Sequence, residues 1–263
     1  MIQSILQHMP AGHPWIDRIH YFDCVESTNT LAKEMAKAGA PHGTVLIADR
    51  QTAGRGRLGR SFLSPGGMGI YMSVILRYDC QATDLMHMTC ACGVHLCNAV
   101  ESVLQIRPGI KWINDLVHEK KKLAGILTEL VFTDNQICAI VGIGLNCCQQ
   151  PEDFDPQIRS IATSAAMITG KQPNRGQVIA QILQELRIMD HRLLNQQEAL
   201  MTQYRKDCIT LGKSISILQG DVVEHGTAVD VLSDGTLLVR LEDGSEHPVN
   251  SGEVSIRGMY GYI

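Results

Sequence analysis

Between residues 110 and 145 three apolar runs, 110–113, 123–131 and 137–145, are separated by a lysine-rich turn at 119–122 and a polar turn at 133–136. Short turns join antiparallel neighbours, whereas parallel strands need a crossover of a dozen or more residues. The spacing therefore predicts an antiparallel meander. Upstream, IHYFDCV (residues 19–25) suits a strand. Ser27 then offers an N-cap to a helix running through Ala38, with Leu31 and Met35 one turn apart and Gly39 as its stop. TVLIAD (44–49) is a short apolar run and GIYMSVIL (69–76) reads as a strand. Leu85, Met88, Cys92, Leu96, Ala99, Val100 and Val103 recur at helical spacing over 85–104. Two further helices are expected over 156–169, closed by Gly170, and 176–206. From Gly212 the texture changes to short β-branched segments with Asp234-Gly235 and Asp243-Gly244 turn pairs, the pattern of hairpins in a small barrel. The expectation is an α+β chain with a mixed or antiparallel sheet and helices in residues 1–211, and a small C-terminal β-barrel domain in 212–263.

Composition excludes several classes. A net charge of -4 lacks the basic stripe of a nucleic-acid binder. No apolar run approaches 18 residues, and the first twenty residues lack the pattern of a secretory signal, so a cytoplasmic protein without a membrane span is expected. Nine cysteines are an odd number in a chain too long for a stapled mini-domain, and no CxxC occurs, so reduced thiols are expected rather than disulfides or a zinc site.

Four stretches carry chemistry. Gly54-Arg55-Gly56-Arg57-Leu58-Gly59-Arg60 concentrates three guanidiniums and three glycines, which suits a phosphate or carboxylate partner. It has neither the phosphate-loop nor the dinucleotide spacing, and its mutual repulsion predicts disorder until an anion binds; a solvated basic turn is the bland alternative. Lys111-Trp112-Ile113-Asn114-Asp115 ends a strand, where alternation puts Lys111 and Ile113 on one face and Trp112 on the other. A lysine on an apolar strand needs an anionic partner or a function. Asp115 is either that partner or an aid in holding a metal-nucleotide. Glu26-Ser27-Thr28-Asn29-Thr30 is read as a helix cap or as hydrogen-bonding groups for a small polar head such as a urea ring. Gly142 and Gly144, on the strand VGIGLN, permit close approach of another backbone or a flat ligand, with tight packing as the simpler explanation.

In this order ESTNT, QTAGRGRLGRSF, KWINDL, KLAGILTE, VGIGLN and GEVSIR resemble the biotin protein ligases, over residues 21–257. The resemblance implies a catalytic domain similar to class II aminoacyl-tRNA synthetases and lipoate ligases. It implies ATP and biotin as substrates, Mg²⁺ as the metal with Asp115 in its vicinity, and a biotin carboxyl carrier domain as protein partner. Ser27, Thr28 and Gln51 are implied at the ureido ring, with Asn29 and Gly125 also at biotin. Arg55, Gly56 and Arg57 close over carboxylate and adenylate, and Lys111 is the central charge, meeting biotin's carboxylate and the α-phosphate, with Arg57 its catalytic companion. Arg60, Phe62, Asn114 and Arg257 are implied at the nucleotide, with Phe62 covering the adenine. Ile113 departs from the family's proline. About twenty residues precede the first strand, so a ligase without operator-DNA binding is expected, and a homodimer built on a sheet edge stays open. The competing readings are a lipoate or octanoate ligase, a biotin-sensing regulator and a non-enzymatic scaffold.

Overall fold

The computed structural model describes residues 1–133, 136–219, 222–250 and the backbone of 255–258. The first sheet comprises β1 (Ile19–Val25), β2 (Thr44–Gln51), β3 (Gly69–Tyr78), β4 (Gly109–Lys111), β5 (Asp115–His118), β6 (Lys121–Phe132) and β7 (Ile137–Asn146). Their order is β1-β2-β3-β7-β6-β5-β4, with β1 and β2 parallel and the other neighbours antiparallel. The meander is thus present, with one more strand than the apolar runs suggest. Asp115–His118 is too short and too polar at its ends to stand out, and pairing with β6 makes it a strand.

The helices are α1 (Ile2–His8), α2 (Thr28–Lys37), α3 (Met88–Leu104), α4 (Ala165–Thr169), α5 (Arg175–Arg192) and α6 (Gln197–Asp207); α2, α3, α5 and α6 touch the sheet, and α1 packs on α5. Ser27 caps α2 as expected, accepting from the Thr30 amide, and Gly39 follows its C-cap with φ +91°. Most of the 156–169 stretch is not helical. Ala162 instead bridges to Lys122, and the Ile161 carbonyl accepts from the Lys122 amide at 2.7 Å, so backbone pairing with β6 replaces helix bonds until Ser164 caps α4. The expected helix over 176–206 is two helices. Leu193 is fully buried and its carbonyl accepts from His87 Nε2 at 2.9 Å, which takes the acceptor that a continuing helix would use. The chain then reverses and α6 packs on α3.

A second sheet contains β8 (Ser214–Gln219), β9 (Val222–Val231), β10 (Leu237–Leu241), β11 (Glu246–Val249) and β12 (Ser255–Gly258), in the order β11-β10-β9-β8-β12, all antiparallel. Both Asp-Gly pairs sit at its turns, with Gly235 and Gly244 at φ +91° and +85°. The middle of the polar turn at 133–136 and the start of GEVSIR lie outside the described residues.

Candidate active site

The N-terminus of α2, the loop after β2 and the inner ends of β3 to β7 surround a cavity of about 470 Å³. Ser27, Thr28, Asn29, Gln51, Arg55, Gly56, Arg57, Arg60, Phe62, Lys111, Asn114, Asp115 and Gly125 all line it. The structure therefore gathers every residue that the resemblance implies at the site except Arg257, while Glu26 and Thr30 of ESTNT are not among the lining residues. That residue falls on β12, whose side chains lie outside the described part.

One wall is a polar shelf. The Gln51 Oε1 accepts from the Thr28 amide at 2.8 Å and from Thr28 Oγ1 at 3.1 Å, while its Nε2 donates to Ser64 Oγ at 2.9 Å. Those bonds fix which way the amide faces. Ser73 Oγ, fully buried on β3, sits 2.6 Å from Asn29 Oδ1 and 2.8 Å from Thr28 Oγ1. Asn29 Nδ2 donates to the Leu127 carbonyl at 3.2 Å and to Glu129 Oε2 at 3.0 Å, and Lys33 Nζ pairs with Glu129 Oε1 at 2.8 Å. Ser73, Glu129 and Lys33 were not singled out by sequence reasoning. A lone serine inside the apolar run GIYMSVIL was the available signal for the first; nothing local marked the other two.

Burial alone would raise the Glu129 carboxyl, but hydrogen bonds from Lys33 and Asn29 and the charges of Lys33 and Arg55 outweigh it and hold the pKa below its ordinary value. A depressed carboxylate stabilises the fold fully above its unfolded pKa of about 4.3, and the contribution disappears as pH falls through the folded value. Glu129→Gln is therefore expected to flatten the loss of stability seen on acidification below about pH 5. Urea unfolding from pH 6 to pH 3 measures this, and an unaltered acid limb would count against it.

Beneath the cavity, Gly142 and Gly144 alternate along β7 on one face. A Cβ on Gly142 would run into the Asn29 carboxamide, and one on Gly144 would lie 2.7 Å from Phe62 Cε1. The two glycines thus admit side chains of the protein itself. Phe62 also meets Tyr71 edge-on at 6.3 Å.

The opposite wall is cationic. The 54–60 loop folds as a tight hairpin: the Gly56 amide donates to the Arg60 carbonyl at 2.7 Å, the Phe62 amide donates to the Gly54 carbonyl at 2.8 Å, and Leu58 and Gly59 take positive φ. Arg57 Nη1 donates to Asn114 Oδ1 at 3.0 Å, and Asn114 Nδ2 donates to the Ile126 carbonyl at 3.0 Å, so the loop is tied to β6 through Asn114. Burial lowers the Arg57 guanidinium pKa from its ordinary value, Asp115 opposes that and Arg60 adds to it. Lys111 is buried, at 9% exposure. The expected same-face alternation of Lys111 and Ile113 does not occur, because β4 ends at Lys111 and a turn follows. Asp115 pairs with Lys122 at 2.7 Å. Lys122, the last residue of the lysine-rich turn and the first of KLAGILTE, was not named as a site residue from sequence. Arg55, Arg57, Arg60, Lys111 and Lys122 thus line the cavity with Asp115 as the only carboxylate among the lining residues. Such a wall attracts polyanions although the whole chain is acidic. Among the described residues no group of three potential metal ligands occurs.

Residues 21–146 match the biotin/lipoate A/B protein ligase family, and residues 210–257 match the biotin protein ligase C terminal domain. The chain is 34% identical to the bifunctional ligase/repressor BirA of Bacillus subtilis, over 85% of this chain and 70% of that protein. It is also 34% identical to the biotin--[acetyl-CoA-carboxylase] ligase of Mycobacterium tuberculosis, over 87% of this chain and 85% of that one. In structure it is similar to the biotin protein ligase of Aquifex aeolicus in complex with biotin and ATP, with a TM-score of 0.78 and 30% identity over 92% of this chain and 99% of that one. With a shared fold, both characteristic segments and a cation-walled cavity where the shared motifs converge, this chain belongs to the biotin protein ligase family.

Proposed function

We propose that the protein is an ATP-dependent ligase that converts biotin to biotinyl-5'-AMP and transfers the biotinyl group to a lysine of the carrier domain of acetyl-CoA carboxylase or a related carboxylase. The observation that carries this reading is the meeting of a polar shelf and five cations in the lining of one cavity. An uncharged ureido ring suits the shelf of Ser27, Thr28, Asn29 and Gln51, and Gly125, where a Cβ would lie 3.2 Å from Lys122 Nζ, lets the Lys122 side chain into the cavity lining beside biotin. A carboxylate and a triphosphate suit the wall of Arg55, Gly56, Arg57, Arg60 and Lys111. In the first step a biotin carboxylate oxygen attacks the α-phosphorus and pyrophosphate leaves. Lys111 and Arg57 stabilise the charge that builds on the phosphoryl oxygens, and the loop excludes water from the mixed anhydride. In the second step the carrier's lysine amine attacks the acyl carbon and AMP departs. No protein nucleophile is needed.

Phe62, over Gly144, and Asn114 belong to the nucleotide side in this reading, as does Arg257 from the C-terminal domain, whose boundary we place at 211/212. Asp115 fits a magnesium ion brought in by the nucleotide, since such an ion asks for one or two protein carboxylates beside the phosphates. When bound, it would neutralise phosphate charge. Among the described residues no helix is long and apolar enough to cross a membrane. The reading is completed by a cytoplasmic location and by the absence of operator binding, which a gel shift with operator DNA tests.

Pyrophosphate exchange into ATP, run with biotin and with lipoate in parallel, tests the activity. Exchange is expected with biotin, and Arg57→Ala is expected to lower kcat/KM on the order of 10²-fold, because it removes a preorganised charge and frees Asn114. Exchange with lipoate alone would make the protein a lipoate ligase of the same fold.

A further inference from the structure

Trp112 follows Lys111, and its indole is only 4% exposed. An indole N–H buried so deeply requires an acceptor. It finds one far along the chain: Nε1 donates to the Gly235 carbonyl, at the β9–β10 turn of the C-terminal sheet, at 2.9 Å. The Trp112 amide donates to Thr210 Oγ1 at 2.9 Å, and on the other side of the lysine the Ile110 carbonyl accepts from the Ile209 amide at 2.9 Å. Both ends of the short segment that carries Lys111 are thus tied to the C-terminal part of the chain.

The turn is shaped for this contact. Gly235 takes φ +91°, and a Cβ there would lie 3.1 Å from Cys90 Sγ and 3.6 Å from Ile113 Cδ1, so the tip fits closely against α3 and the residue after Trp112. Its own form is held by the Gly235 amide donating to the Leu232 carbonyl and the Thr236 amide donating to Asp234 Oδ1, both at 2.9 Å. A hairpin needs an Asp-Gly pair for its backbone but has no need to bury that pair's carbonyl against another sheet.

We propose that the 232–236 turn of the C-terminal sheet is a positioning element for Lys111, with the Gly235 carbonyl fixing the Trp112 indole and thereby the backbone that aims the Lys111 ammonium into the cavity. The inference rests on the reading of Lys111 as the charge that stabilises adenylation. Ser27, Thr28 and Gln51 stand on the other wall and share none of these bonds. Loss of the brace therefore moves the cation while leaving the ureido contacts in place, which lowers kcat more than it raises KM for biotin, whose carboxylate alone meets Lys111.

Benzothienylalanine has the shape of tryptophan with sulfur in place of the indole N–H. Placed at position 112 of the full chain, it is expected to lower kcat of biotin-dependent pyrophosphate exchange on the order of tenfold, with KM for biotin raised by a clearly smaller factor. Lys111 should also label severalfold faster with trinitrobenzenesulfonate, read by peptide mass mapping. Gly235→Ala, which strains the turn at φ +91° and presses on Cys90 Sγ, should reproduce both changes, and in the analogue-bearing chain its effect on kcat should be less than the product of the two single effects, because they share the indole–carbonyl contact. An unchanged kcat, or an unchanged Lys111 labelling rate, overturns the proposal. Failure of the unsubstituted protein to exchange with biotin would instead sink the adenylation reading, and the labelling rate, which needs no substrate, would then decide the positioning claim alone.

Discussion

Lys111→Met is expected to lower kcat of biotin-dependent pyrophosphate exchange by roughly 10²- to 10³-fold, the range seen when one preorganised group facing developing charge is removed. Methionine keeps the length and most of the volume of the lysine stem, so the loss isolates the ammonium. The site makes the effect large. At 9% exposure Lys111 works where water screens little, and its charge is already in place before the phosphoryl oxygens become more negative. Arg55, Arg57 and Arg60 still attract the nucleotide in the variant, so KM for ATP should move far less than kcat. A variant within threefold of the unsubstituted enzyme would remove Lys111 from the chemistry.

Gly142→Ala is expected to weaken biotin binding on the order of tenfold and to lower stability by about 1–3 kcal/mol, the usual cost of one methyl group forced into a filled site. The added Cβ would lie within 3.0 Å of both Asn29 Cγ and Nδ2. Asn29 cannot step aside cheaply, since Ser73, the Leu127 carbonyl and Glu129 hold it from three directions. Each of those buried bonds costs about 1–3 kcal/mol to leave unmade. Calorimetric titration with biotin and urea unfolding measure the two effects. Adding Asn29→Ala should return part of the stability by removing the collision, without restoring affinity. Recovery of both would mean that Asn29 serves packing alone.

Much of this architecture was legible in residue order. The Ser27 cap, the Gly39 stop, the antiparallel meander and the two Asp-Gly turns follow from rules that act over a few residues: capping geometry, turn length and the positive φ that glycine accepts. The linear motifs also named most of the residues that line the cavity, because ESTNT, the Gly-Arg loop and KWIND each keep several of them adjacent in the chain.

Other features depend on partners that no short window contains. Glu129 meets Asn29 across 100 residues and Trp112 meets Gly235 across 123. Lys122 reads as one lysine of a lysine-rich turn until the β5–β6 pairing brings its Nζ to Asp115. The glycines of VGIGLN leave a ligand, a backbone or tight packing open in the sequence, and only the fold shows that they pack against Asn29 and Phe62. The helix expected over 176–206 had no glycine or proline to interrupt it near residue 193, and it breaks because Leu193 is drawn into the core and its carbonyl is taken by His87. Periodicity and turn chemistry determined most of the elements, since both are local, whereas β5, the unwound 156–164 stretch and the break at Leu193 needed distant partners. The placement of charge, the fixing of Asn29 and the brace on Lys111 were decided by the tertiary structure, because a buried polar group takes whatever partner the folded chain brings within reach.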